Sequence, residues 1–152
     1  MKYELIKDDF IIVNGNTKLF RVRYLARNTL GGYIESENNL SQEGGCRVLG
    51  DAWVYGGALV SGGALVSGDA QVCGDDWDIS PLQIKGSRHY LNASRYGYIQ
   101  IGCLELSVKE WKEKRVSIGE GEKYTPKEIE EYGLYIDLFE KWFELNNLKE
   151  KK

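Results

Sequence analysis

From Cys46 to Asp75 the chain repeats a six-residue unit five times without insertion: CRVLGD, AWVYGG, ALVSGG, ALVSGD and AQVCGD. Val48, Val54, Val60, Val66 and Val72 recur at one position, and Gly50, Gly56, Gly62, Gly68 and Gly74 at another. Ala52, Ala58, Ala64 and Ala70 hold the small-residue position, with Cys46 in the equivalent place, and Ile34 and Leu40 extend that column upstream. The small residue and the Val are two apart, so on an extended chain both face one side while the residue between them faces the other. The Gly-Gly or Gly-Asp pair then turns the chain, because Gly tolerates positive φ. A helix is excluded: period six matches no helical face, and each internal Gly would cost about 1 kcal/mol. Collagen needs Gly at every third residue. A single unit cannot bury its own Ala and Val, but stacked units build one apolar column. The pattern predicts a parallel β-helix of about two coils over residues 30–78.

On the N-terminal side, FIIVNGNTKLFRVRYLA places two β-rich runs around Asn14-Gly15, a hairpin signal. The hairpin is expected within residues 1–29, capping the first coil so that no open strand edge remains. On the C-terminal side, residues 79–148 read as a small α/β subdomain. Three short strands are expected around Lys85-Gly86-Ser87 and Arg95-Tyr96-Gly97, followed by two helices. Ser107…Glu110 and Thr125-Pro126…Glu128 fit capping boxes. Ile129, Tyr132, Ile136, Phe139 and Phe143 give the second helix an apolar face, which Tyr135, Leu138 and Trp142 widen. Gly133 interrupts that face for no reason legible in the sequence. Residues 149–152 read as a frayed tail.

Cys46–Asp75 resembles the hexapeptide repeat of left-handed parallel β-helix proteins, in which three units make one triangular coil. The implied architecture is mainly β: a hairpin cap, a short left-handed β-helix and a C-terminal α/β subdomain with two helices. A wider resemblance, to small hexapeptide-repeat proteins encoded by phages and prophages, rests on LGGYIESENNLSQEG, KGSRHY and IGCLELSVKEW followed by YTPKEIEEYGLYI. That resemblance implies a setting in a host cytoplasm but brings no biochemical activity. Enzymes with hexapeptide repeats are mostly acyltransferases, which the resemblance supplies with a catalytic His acting as general base. The repeats here contain no His, the sole one is His89, and no long loop interrupts the units. The chain is therefore read as non-enzymatic, with no catalytic residue and no cofactor.

Charge and composition narrow the function further. With 20 Lys+Arg against 23 Asp+Glu, the net charge of −3 argues against general nucleic-acid binding. No apolar run is long enough for a signal peptide or a membrane span, which predicts a cytoplasmic protein. Cys46, Cys73 and Cys103 are odd in number and lack CxxC spacing, so neither a disulfide framework nor a metal site is expected.

Between Asp78 and Glu105 the chain carries no carboxylate, yet it holds Lys85, Arg88, His89 and Arg95. The turn Lys85-Gly86-Ser87-Arg88 could bring backbone N–H groups, a hydroxyl and a guanidinium to an anion. Tyr90, Tyr96 and Tyr98 add faces for stacking. The window reads either as a pocket for a small anionic ligand, such as a nucleotide, or as plain buried strands with basic turns. Trp53, Tyr55, Leu59 and Leu65 fall at outward repeat positions and suggest self-association, with a trimer as the first expectation. The resulting functional expectation is a phage-type binding protein that captures a small anionic ligand, nucleotide or signalling nucleotide, and blunts host defence. A protein–protein adaptor or direct inhibitor of a host protein is the alternative, with an acyltransferase as a weaker third.

Overall fold

The computed structural model describes residues 1–150; Lys151 and Lys152, the end of the expected frayed tail, lie outside the described residues. The chain divides into two compact units, residues 1–81 and 82–152.

In the first unit, β1 (Tyr3–Val13) and β2 (Thr17–Tyr24) form an antiparallel hairpin closed by Asn14 and Gly15, both at positive φ. β3 (Thr29–Ile34) pairs antiparallel with β2. Each hexapeptide unit then contributes a strand of two residues: β4 (Arg47–Val48), β5 (Trp53–Val54), β6 (Leu59–Val60), β7 (Leu65–Val66) and β8 (Gln71–Val72). β9 (Asp76–Trp77) follows them. The inward positions are as the spacing requires: Cys46 and every repeat Ala and Val are buried, none more than 1% exposed. Strands pair in parallel three units on, eighteen positions apart, Arg47 with Leu65 and Trp53 with Gln71.

The expected left-handed parallel β-helix, and the mainly β class built on it, do not hold. The protein is mixed α/β with several small sheets, and no sheet is closed or solenoid-like. One sheet has five strands in the order β1-β2-β3-β5-β8, mixing antiparallel and parallel pairs, while β4-β7 and β6-β9 are two-stranded. The reason lies in the number and length of the units. Five units pairing three apart leave each ladder two repeat strands at most, and each strand is only two residues long before a Gly turn. The third strand of the largest ladder is β3, from outside the repeats, with Tyr33 opposite Trp53. Because β3 is already paired to β2, the hairpin is not a cap but part of that sheet.

Buried hydroxyls and amides pin these short ladders. Tyr24 Oη accepts from Val48 N (2.7 Å) and donates to Val48 O (3.1 Å). Asn39 Nδ2 donates to Gly56 O (3.1 Å) and Ala58 O (2.8 Å). Such contacts matter because a buried polar group without a partner costs about 1–3 kcal/mol.

The second unit is an antiparallel meander, β10 (Gln83–Lys85), β11 (Tyr90–Arg95), β12 (Tyr98–Ile101) and β13 (Leu104–Ser107), followed by α1 (Val108–Gly121) and α2 (Pro126–Leu145). The strands number four, not three, because Gly102, at φ +59°, turns the chain between Ile101 and Leu104. Both capping boxes form, at Ser107 and Thr125. Trp111 Nε1 donates to Ile99 O (2.8 Å) and ties α1 to the sheet. Tyr132, Gly133, Ile136, Phe139 and Phe143 are the buried face of α2. No helix among the described residues is long and apolar enough to cross a membrane.

The repeat turns make a direct test of the ladder. Gly56 sits at φ +60°, and a Cβ there would lie 2.7 Å from Cys73 O, whereas a Cβ on Gly57 meets nothing within 4 Å. Gly56→Ala should destabilise the protein by about 1–2 kcal/mol through left-handed backbone strain alone. Gly57→Ala should be close to neutral; urea denaturation of the two variants checks the difference.

Candidate functional site

The basic window folds onto α2 and meets carboxylates that lie far from it in sequence. The 85–89 turn is held by Tyr132, whose hydroxyl accepts from Arg88 N (2.9 Å) and His89 N (2.7 Å) and donates to His89 O (3.1 Å). Gly86 is required at this contact, since a Cβ would lie 2.8 Å from Tyr132 Cζ. Ser87 donates from its hydroxyl (2.6 Å) and its amide (3.1 Å) to the Glu131 carboxylate. Arg88 lies 3.6 Å from Glu128, donates to the carbonyls of Lys123 and Glu122, and stacks over the Tyr124 ring at 4.7 Å. The turn expected to cradle an anion thus has its hydroxyl, amide and guanidinium engaged by α2 and the loop before it.

The remaining residues of the window do not converge on this turn. Arg95 pairs with Glu105 (3.5 Å) and stacks over Tyr98 at 3.8 Å, and Tyr98 Oη donates to Glu150 (2.7 Å). They occupy the far end of the β11–β12 hairpin, about 20 Å along the strand from His89 at about 3.4 Å per residue. Lys85 is exposed at the end of β10, Tyr90 starts β11 with its hydroxyl 3.5 Å from Gln83 Oε1, and Tyr96 is half-buried in the turn beyond. The window therefore holds two separate clusters, Ser87 and Arg88 with Glu131 and Glu128, and Arg95 and Tyr98 with Glu105 and Glu150. In the first unit, Trp53, Leu59 and Leu65 lie in three different sheets, so they do not make one flat surface. Trp53, Tyr55 and Leu59 are half-buried and Leu65 is exposed.

A pocket that the sequence did not reveal lies beside the first cluster, between the two helices and the β12–β13 turn. Its cavity volume is about 90 Å³, with an open mouth. Trp111, Ile118, Ile129 and Ile136 supply its helical walls, and Ile101 and Leu104 its sheet side. His89, Arg115, Tyr124 and Tyr132 bring polar groups to it, and Glu122 stands on its lining. His89 stacks on Tyr124 (12° between planes), and its Nδ1 is hydrogen-bonded to the Tyr124 hydroxyl. Burial, with Tyr132 as the next cause, pushes the Tyr124 phenol well above its usual range, so it stays protonated near neutral pH. Cys103, fourteen positions from His89 and joined to it by no motif, lines the same pocket. Among the described residues no three His, Cys, Asp or Glu side chains gather as a metal ion would need.

The one sequence signal for this pocket was glycine inside helices. Gly119 lets Ile129 and Tyr124 approach α1, with Ile129 Cγ1 2.7 Å from where a Cβ would stand. Comparison with protein-family models, curated proteins and solved structures found no match.

Hydrogen bonds from the Ser87 hydroxyl, and next from Tyr135, hold the Glu131 carboxyl below the usual carboxylate range. A depressed folded value means that this contact stabilises above the unfolded Glu pKa of about 4.3 and is lost as pH falls through the lower folded value. Melting temperature should therefore fall on acidification below about pH 4.3. Glu131→Gln should start lower at neutral pH and lose less, with the residual slope coming from Glu110 and Glu128, whose capping bonds depress them too.

Proposed function

We propose that the protein is a non-enzymatic binding protein whose second unit captures a small ligand with an apolar body and an anionic group. The observation that supports it is the pocket: apolar walls from Trp111, Ile118, Ile129 and Ile136, with polar tips from His89, Arg115 and Tyr124 along its lining. This reading is narrower than nucleotide capture at the Lys85–Arg88 turn, because Glu131 and Glu128 already oppose that turn's charge. The phage-type role, withholding a metabolite or signalling molecule from host defence, rests on the resemblance of the sequence alone. An adaptor role is the second reading. It is favoured by Leu134, Leu138 and Leu145, exposed at 66%, 49% and 80% on α2.

Mass spectrometry of small molecules released from the purified protein, paired with Ile118→Trp to fill the pocket, tests ligand capture. The released compound should rebind wild type and raise its melting temperature, and the filled variant should bind it at least tenfold more weakly. Full binding by the filled variant places the ligand elsewhere and ends the reading. A single stoichiometric host protein recovered by the wild type, and lost with Leu134→Glu, would favour the adaptor instead.

Self-association, with a trimer first, is part of the same proposal, since Trp53, Tyr55, Leu59 and Leu65 all keep some accessible surface. Leu65→Glu should bring the sedimenting mass down to the 17.3 kDa of one chain. A wild type already sedimenting at that mass would overturn self-association.

A further inference from the structure

Gly133 is buried near the middle of α2, where Gly costs about 1 kcal/mol relative to Ala. The structure supplies its counterpart. A Cβ on Gly133 would stand 2.8 Å from both Cζ and Nη1 of Arg115 and 3.3 Å from its Nε. The guanidinium therefore lies against the bare Cα of α2, in the space an added methyl would take. Arg115 Nη1 donates to Ile129 O (2.9 Å), which fixes the group in that seat.

The charge of this guanidinium is not met within the unit. The ion pairs here are Arg88–Glu128, Arg95–Glu105, Lys112–Glu140 and Lys114–Glu110, and among the described residues Arg115 belongs to none. A guanidinium carries five N–H donors in a planar fork, and the hydrogen bond to Ile129 uses one of them. Arg115 also lines the apolar pocket. A guanidinium at an apolar wall, with donors to spare, has the geometry that recognises a carboxylate or a phosphate ester.

Resting on the pocket reading above, we infer that Arg115, seated by Gly133, is the anion-recognising residue, and that the ligand is a compact amphipathic monoanion. One anionic group is the number the site accommodates. Arg115 is the unpaired cation of its lining, and the Nδ1 of His89 is engaged by Tyr124. A polyphosphate would leave its extra charges unmatched, whereas a single carboxylate or singly charged phosphate ester on a flat or branched apolar body meets one guanidinium and apolar walls.

Two dyes of matched shape test this. 1-Anilinonaphthalene-8-sulfonate has an apolar body with one sulfonate, and N-phenyl-1-naphthylamine is the same body without it. Fluorescence titration of the full chain should show the sulfonate dye binding more tightly. Arg115→Gln should weaken the sulfonate dye at least tenfold and leave the neutral dye within twofold. Gly133→Ala should act in the same direction by at least fivefold while keeping or raising thermal stability, because the added methyl displaces a flexible side-chain end. Lys85→Ala should change neither dye. Competition by 1-naphthoate against 1-naphthyl phosphate, which is largely dianionic at neutral pH, then tests the single charge: the carboxylate should compete more strongly, and preference for the phosphate overturns the monoanion. If both dyes bind and Ile118→Trp removes them, yet Arg115→Gln leaves their ratio unchanged, the Arg115 assignment is overturned and the pocket reading stands. If neither dye binds, or both bind undiminished to Ile118→Trp, the pocket reading falls and the assignment with it.

Discussion

The hydroxyl of Tyr132 is saturated by three backbone groups of a turn more than forty residues away, and the second unit is organised around that contact. A buried hydroxyl with one donor and two acceptor positions can be fully satisfied in few ways, which makes the docking specific as well as stable. The contact seats the 85–89 turn on the N-terminal half of α2 and brings His89 against Tyr124. On the next turn of the same helix, Ile136 and Phe139 bury the apolar face that the sequence periodicity announces. The pocket is the space left where α1, α2 and the β12–β13 turn cannot close completely.

Charge in this unit follows from topology. The acid-free stretch from Ile79 to Leu104 is not an isolated positive surface, because Glu105, Glu128, Glu131 and Glu150 return to it. Glu131 of α2 is held ionised by the same Ser87 bonds that order the turn, so the loop is structured by charge-assisted hydrogen bonds without a ligand. The exception is Arg115 on α1, whose guanidinium is turned to glycine and an apolar wall. That contrast, rather than the total number of basic residues, separates a structural cation from one available for recognition.

Much of the local structure was legible. The Asn14-Gly15 turn, the two capping boxes and the inward Ala and Val of the repeats all depend on neighbours within a few residues, and short-range sterics decide them. The fold class was not. The hexapeptide period tells which side chains turn inward, but it does not tell how many strands each face will collect or what joins them. Pairing three units apart with five units leaves sparse ladders, and β3 merges the largest of them with an antiparallel hairpin. The fourth strand of the meander was missed because Gly102 reads as one glycine among many.

The candidate site divides along the same line. Ser87, Arg88 and His89 read in the sequence as donors awaiting an anion, because the carboxylates that engage two of them lie some forty residues downstream. By itself the sequence determined the apolar and polar faces of each element, the helix starts and the tight turns, since these follow from side-chain spacing and backbone sterics along a few residues. Tertiary structure alone decided which charges meet, where a pocket remains, and why Gly133 stands in the middle of a helix: those depend on distances between segments far apart in the chain, which no local pattern encodes.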